Sequence, residues 1–166
     1  MKMKNIQFLI LLLVALIGVS CESTYEKEYS WAYPVAGDWY VKSYINGEEY
    51  YGPFEIKSYN SAFGQDSIWI DDYGTSSYNE TTHKYTFAGN FWVMKAKAAV
   101  DMNSKTFETA GSINGIAGYP ITIKIQNGKV VNNDSIYFEI EFEDDPGTIY
   151  QIAGHREIGY EEYMGL

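Results

Sequence analysis

Between Asp134 and Arg156 the chain reads DSIYFEIEFEDDPGTIYQIAGHR, and this stretch limits what the rest can be. Ile136, Phe138, Ile140 and Phe142 alternate with Tyr137, Glu139 and Glu141. A period of two, with β-branched and aromatic residues on one face, is a half-buried strand. Asp144-Asp-Pro-Gly147 closes it. Pro presets φ at the first corner of a tight turn, and Gly accepts a positive φ at the second. Thr148 to Ala153 then returns as the partner strand. A long antiparallel hairpin therefore lies near the C-terminus, and the upstream segments are of the kind that pair with it.

Trp39, Val41 and Ile45 fall on one face of a first strand, with Asp38, Tyr40, Lys42 and Tyr44 on the other. Asn46-Gly47 is a hairpin signal, because both corners of a type I′ turn need positive φ. A second strand runs from about Glu48 to Tyr59, and Pro53 within it marks an edge or a bulge. Asp66 to Asp72 is a short third strand. Tyr73 to Asn90 is polar and long for a loop in a compact domain, which makes it a candidate lid, with a strand at His83 to Ala88 as the alternative. Phe91 to Val100 alternates, placing Trp92, Met94, Ala96, Ala98 and Val100 on one face. Lys105 to Thr109 is a short strand, and Gly111 to Gly118 a Gly-rich connection. Tyr119 to Gln126 alternates through Ile121, Ile123 and Ile125 before a turn at Asn127-Gly128. No segment beyond the first twenty residues shows sustained helical periodicity. About eight strands joined by hairpins predict an all-β fold: a single up-and-down antiparallel barrel, with a sandwich as the alternative.

Residues 1–20 read as an export signal. Lys2 and Lys4 precede an apolar run from Ile6 to Ile17, short of the ~20 residues of a membrane span. Gly18-Val-Ser20 before Cys21 resembles a bacterial lipoprotein signal, which implies cleavage there and acylation of Cys21. An ordinary secretory peptide is the alternative. Cys21 is the chain's one cysteine, so no intramolecular disulfide forms. Residues 21–34 would be the lipidated cysteine and its tether, and residues 35–163 the barrel. The acids Glu22, Glu26 and Glu28 resemble the surface-export signal of some Gram-negative lipoproteins. Without Lys2 and Lys4 the chain has 10 basic and 22 acidic residues, a net charge of −12. That charge disfavours nucleic acid and anionic membrane surfaces as partners. The expected location is the outer membrane, on its periplasmic face or at the cell surface, through the lipid anchor.

Gly37-Asp38-Trp39 resembles the Gly-x-Trp signature of lipocalins. In that family the Trp closes one barrel end and an Arg from the end of the last strand packs across it; Arg156 stands at that place in this chain. A wider resemblance covers most of the chain. Tyr33-Pro-Val-Ala-Gly-Asp-Trp39, Asp66-Ser-Ile-Trp-Ile-Asp-Asp72, Asp134-Ser-Ile-Tyr137, Asp144-Asp-Pro-Gly147 and Gly154-His-Arg156 followed by Gly159 resemble the lipid-binding putative hydrolase family. These are lipocalin-like lipoproteins of Gram-negative bacteria. The resemblance implies a calycin-type barrel, a small apolar or lipid ligand, and no catalytic residue that can be carried over.

The residues themselves offer little catalysis. The two histidines are His83, in the polar loop, and His155, beside Arg156, and the chain has no Gly-x-Ser-x-Gly elbow. His155 with Asp144 or Asp145 makes a candidate dyad; a structural His at a strand end is the plainer reading. Asp71/Asp72 and Asp144/Asp145 offer oxygen ligands for calcium or an acid–base pair, against the simpler role of turn-capping aspartates. No cofactor or metal is expected. Sixteen Tyr and four Trp suit interfaces and ligand walls, with Tyr as a good strand-former on sheet faces as the plainer alternative. If Tyr73, Tyr78 and Tyr85 cluster, they favour a glycan or a surface complex as partner. For an apolar ligand the candidate lining is Trp39, Val41, Ser43, Trp92, Met94, Ala96, Phe138 and Ile140. The same residues would form a packed core if the barrel is not hollow.

Overall fold

A computed structural model describes residues 30–62 and 64–157. Cys21, the acidic tether, the export signal and Gly159 lie outside them. The fold is all-β. Ten strands are described: β1 Gly37–Ile45, β2 Glu48–Asn60, β3 Ser67–Asp71, β4 Tyr73–Asn79, β5 Lys84–Gly89, β6 Lys95–Asp101, β7 Thr106–Ile113, β8 Thr122–Val131, β9 Ser135–Phe142 and β10 Tyr150–Arg156. Eight close an antiparallel barrel in the order β1-β10-β9-β8-β7-β6-β3-β2, and β4 and β5 form a separate two-stranded sheet. Closure comes from the β1–β10 ladder, which pairs Trp39 with Arg156 and Tyr44 with Gln151. A barrel with eight strands has no free edge and an interior just wide enough for side chains to fill.

The alternation in the sequence sets which residues face inward. Along β9, Ile136, Phe138, Ile140 and Phe142 are buried, and Tyr137, Glu139 and Glu141 look outward. Asn46 (φ 53°) and Gly47 (φ 83°) turn β1 into β2. Pro53 lies at a bulge, where the β1–β2 register shifts between Val41 and Ser43; a closed barrel gives it no edge to occupy.

Three expectations need correcting. Asn127-Gly128 is not a turn, because β8 runs through it. Asn127 (φ 55°) makes a bulge there, and the β8–β9 register shifts between Gln126 and Lys129. The chain reverses later, at Asn132 (φ 52°) and Asn133 (φ 58°). Asn adopts the left-handed region readily in either setting, so the dipeptide alone does not separate turn from bulge. Tyr73 to Asn90 is a hairpin, β4–β5, not a structureless loop. Phe91 to Met94 is not strand; it folds across one barrel end before β6 begins at Lys95.

The two ends differ. At the base, a turn over residues 31–35 buries Ala32 and Val35 completely. Trp39 Nε1–H donates to Ser58 Oγ (2.8 Å), and that hydroxyl donates to Val35 O (2.7 Å). Arg156 lies over the Trp39 ring, its Cζ 4.3 Å from the centroid. Its Nε donates to Asn133 O at 2.7 Å and its Nη1 to Ala36 O. The other end, the mouth, carries the candidate site.

Candidate functional site

Along the barrel the interior is filled. Trp39, Val41, Ser43, Ala96, Phe138 and Ile140 are 0–1% exposed and Met94 2%. They meet Ile56, Ile70, Ile123, Ile125, Phe107 and Phe142 in one core. Of the candidate lining, Trp92 alone leaves this core; it is half-buried at the mouth. Ser43 Oγ has no hydrogen-bond partner among the described residues, although most buried polar atoms find one. The grooves lie outside the core. One of about 530 Å³ opens at the mouth, lined by Phe91, Trp92, Val93, Ile116 and Tyr119. A larger one, about 760 Å³, runs along the outer wall beside the β8 bulge, lined in part by Asp101, Glu108, Asn127, Lys129, Tyr137 and Glu139. There Lys129 covers the Tyr137 ring at 5.3 Å, and Asn127 and Tyr137 both donate to Glu139 at 2.8 Å. In the outer groove Asn127 and Tyr137 are thus committed to Glu139, whereas the mouth groove is bordered by the rings of Phe91, Trp92 and Tyr119.

The mouth is an aromatic cluster centred on Phe91. Its ring lies 5.1 Å from Phe54, 5.3 Å from Tyr150, 5.5 Å from Tyr51, 5.8 Å from Trp92 and 6.3 Å from Tyr50. Centroid separations of 4.5–7 Å are those at which aromatic pairs contribute about 0.5–1.5 kcal/mol each. Trp92 stacks on Phe142, at the top of the core, at 4.2 Å and 6°. Tyr50 is 58% and Tyr51 48% exposed, so the outer rim of the cluster faces water. Phe91 and Trp92 thus cover the barrel end as a lid whose inner side is core and whose outer side is open.

Both sides of the lid are held by hydrogen bonds to aspartates. Asp72 follows the end of β3 and is 1% exposed. Its Oδ2 accepts the N–H groups of Phe91 (3.2 Å) and Trp92 (2.5 Å), and its Oδ1 accepts that of Met94 (3.0 Å). Burial pushes the Asp72 carboxyl up to about 7 against these three donors, and the charge of Asp71 adds to the rise. On the ring side, Trp92 Nε1–H donates to the Tyr119 hydroxyl (3.1 Å), which donates to Asp144. Asp145 accepts the Tyr150 hydroxyl at 2.5 Å. Burial and the Asp145 bond both raise the Tyr150 phenol, which stays protonated. The Asp144/Asp145 pair therefore does more than cap its own turn: it ties two mouth tyrosines down. Gly89 is required behind the lid, since a Cβ there would stand 2.3 Å from Trp92 O and 2.8 Å from Val93 N. A second seal is made where the β6–β7 ladder stops. Asn114 accepts the Lys95 N–H and donates to Val93 O, both at 2.8 Å, and Ser112 Oγ accepts the Lys97 N–H at 2.8 Å.

The remaining candidates are spread apart. His155 pairs in register with Ser135, but its ring stacks on Tyr40 and its Nδ1 lies 3.2 Å from Arg156 O. The described hydrogen bonds of Ser135 Oγ and His83 Nδ1 run to Asp134 and Tyr78 respectively. No described hydrogen bond joins a histidine to a serine or a carboxylate. Asp71 accepts the Tyr59 hydroxyl (2.8 Å) while Asp72 serves the lid, so the two carboxylates are committed separately. Among the described residues no cluster of three metal-ligating side chains occurs. Tyr78 and Tyr85 pair near the tip of the β4–β5 hairpin, and Tyr73 pairs with Gly89 at its other end.

Sequence reasoning did not find the part played by Asp72, Phe91, Tyr119 or Tyr150. A signal existed: an Asp just past a strand end is a side chain that collects nearby backbone N–H groups. Which N–H groups those are, 19 to 22 residues on, is a tertiary fact.

A closed eight-stranded antiparallel barrel with a capped base and an aromatic mouth is a calycin-like barrel. The chain belongs to the lipid-binding putative hydrolase family, whose model matches residues 24–161. Among curated proteins it has no match.

Proposed function

We propose that the protein binds a small apolar or lipid-like ligand non-covalently at its mouth. The observation that carries this is the Phe91-centred cluster, whose outer rim is open to water beside a groove of about 530 Å³. That volume falls in the range of small-molecule sites, which are mostly apolar with a few polar groups to set orientation. The Tyr119 hydroxyl is such a group. The lipid-binding family supports the ligand class. The filled interior argues that a ligand docks on the lid, or enters by displacing it, and does not occupy a preformed hollow.

The test is titration of the full chain with a fluorescent long-chain fatty acid, followed by Trp emission. Saturable quenching is expected, with at least tenfold weaker binding by Phe91→Ala and Trp92→Ala. Phe91→Ala and Trp92→Ala binding as tightly as the wild type would place the site elsewhere. The export signal and Cys21 support a lipid-anchored protein of the outer membrane, at its periplasmic face or at the surface. Cys21→Ser should release it from the membrane fraction; retention there would defeat the anchor.

Tyr50 and Tyr51 favour a second reading, glycan binding, because exposed phenol rings also stack on sugar faces. Competition for the fatty-acid site by soluble oligosaccharides would support it.

A further inference from the structure

Among the described residues that line the mouth groove none carries a charge, and Thr86, Trp92 and Tyr119 are the ones with a polar side chain. The Trp92 and Tyr119 donors are already used. Trp92 Nε1–H goes to the Tyr119 oxygen at 3.1 Å, and the Tyr119 proton goes to Asp144. The relay therefore ends on an exposed carboxylate, one hydrogen bond behind the groove wall. An ionised carboxylate accepts at about four positions, and the described side-chain bond to Asp144 comes from Tyr119. The Thr86 hydroxyl can donate or accept. This corner of the groove thus has acceptors to spare, while its indole and phenol donors are spent.

The charges around the mouth are biased the same way. Glu143, Asp144 and Asp145 stand together between β9 and β10, and Glu48 opens β2 beside the Asn46-Gly47 turn. The lysines at this end are turned to other partners. Lys95 Nζ lies over the Trp69 and Tyr59 rings, at 5.1 and 5.5 Å. Lys124 pairs with Glu141 at 3.0 Å and Lys42 with Glu49 at 2.7 Å. Lys84 pairs with Asn79 at the tip of the β4–β5 hairpin.

We propose that the mouth selects its ligand by the polar end: it takes an apolar chain ending in an uncharged or cationic hydrogen-bond donor, a long-chain alcohol or amine, over one ending in a carboxylate. This deepens the reading of the mouth as the ligand site and rests on it. The chain lies against the Phe91 and Trp92 rings, and its terminal hydroxyl or ammonium donates to the Tyr119–Asp144 pair. A carboxylate placed at the Tyr119 oxygen would stand two hydrogen bonds, about 5 Å, from the Asp144 charge. No described cation in the lining offsets that repulsion. Like charges at that distance in a half-open site weaken binding by about tenfold. A fatty acid still binds through its chain, with its carboxylate turned out to water, and forgoes the polar contact.

The experiment compares dodecanol, dodecylammonium and dodecanoate on the full chain at neutral pH, each below its micellar concentration, with Trp emission as the signal. Dodecanol and dodecylammonium are expected to bind at least fivefold more tightly than dodecanoate at low salt. Asp144→Asn should narrow that gap at least threefold. Glu108→Gln removes the same charge from the outer wall, away from the mouth, and should leave the gap as it is. Tightest binding by dodecanoate, a gap that Asp144→Asn leaves as wide, or one that Glu108→Gln narrows equally would overturn the inference. If Asp144→Asn does not fold, Tyr119→Phe decides: weakening dodecanol more than dodecanoate supports the selection, and weakening both alike rejects it. Salt tells the two donors apart. A lead of dodecylammonium that high salt abolishes marks an amine, and dodecanol level or ahead at every salt marks an alcohol. The two claims also fail separately. Equal binding of all three, lost in Phe91→Ala, upholds the mouth as the ligand site and refutes the selection. No saturable binding of any, or binding that ignores Phe91→Ala, refutes the site and the selection with it.

Discussion

At Ser43 the described core departs from its own rule. Its hydroxyl is fully buried, among apolar neighbours, with no described partner. A buried unpaired polar group costs about 1–3 kcal/mol. Ser43→Ala should therefore raise stability by about 1 kcal/mol, after allowing for the volume lost, as read from the urea midpoint. A loss of similar size would reveal a partner for the hydroxyl inside the barrel. Arg156 is a cation whose described contacts close the base. It covers Trp39 and donates to Ala36 O and Asn133 O, carbonyls on two different segments. Arg156→Met keeps much of the apolar stem and removes the donors. It should cost about 2–3 kcal/mol in urea unfolding. Arg156→Lys should restore little of that, since one ammonium cannot reproduce the planar fork over the ring. Trp39 and Arg156 stand out in the sequence through its resemblance to the lipocalin pattern of Gly-x-Trp and an Arg at the end of the last strand. Ser43 stands out in the sequence only as a small residue on an inward face. Its missing partner is visible only with the neighbours in place.

At the scale of elements, the lid is the part most sensitive to backbone change. Gly89 ends β5 with the backbone of Trp92 and Val93 against it. A methyl group there meets backbone atoms that cannot rotate away, so Gly89→Ala should move the lid and leave the barrel formed. The expected result is binding of an apolar dye at the mouth, near-native far-UV dichroism, and a loss of about 1–3 kcal/mol. An unchanged dye signal would mean that the lid tolerates the shift. The β8 bulge makes a second case. Gly128 packs where a Cβ would stand 2.3 Å from Phe107 O and 2.5 Å from the Phe107 ring. Asn127-Gly128 reads locally as a turn because a turn and a bulge ask the same φ of Asn. Continuation of β8 was decided by Val130, whose burial returns the chain to the core. Likewise Phe91–Val100 alternates as one strand in the sequence. The first four residues are drawn out of it by Asp72, a side chain from just past the end of β3.

For the whole molecule, pH acts through two sets of carboxyl groups of opposite sign. Asp72 is raised in the folded state, so the folded chain binds the extra proton between pH ~4 and ~7, and stability falls as pH rises through that window. Asp101 is lowered by the Asn103 N–H and the Ser104 hydroxyl, Glu141 by Lys124 and the Gly147 N–H, and Glu143 by Thr122. Those three contribute stability present above their ordinary values, near 4, and lost as pH falls below it. Asp101 and Glu143 are exposed and Glu141 half-buried, so solvent screens these groups more than Asp72, which dominates. The net charge of −10 adds self-repulsion towards neutral pH. Denaturation midpoints should therefore peak near pH 5 and decline to pH 7.5. In Asp72→Asn the decline should be at least halved. A wild-type midpoint that rises steadily to pH 7.5 would show that Asp72 is not the dominant titration.

What the sequence determined by itself is the part of the protein governed by period and local turn chemistry. The two-residue alternation in β1 and β9 settled which residues share a face, because a side chain's side of a strand is set by its parity. Asn46-Gly47 and Pro146-Gly147 settled two reversals, because their φ preferences are local. The motif blocks sufficed for the family and hence for a closed barrel. What only the tertiary structure decided is whether the barrel is hollow, where it opens and what covers it. Those depend on the summed volume of Trp39, Phe107, Phe138, Phe142 and their neighbours, and on Asp72 meeting amides from a segment beyond an intervening hairpin. Side-chain volume and long-range hydrogen bonding leave no period in a sequence.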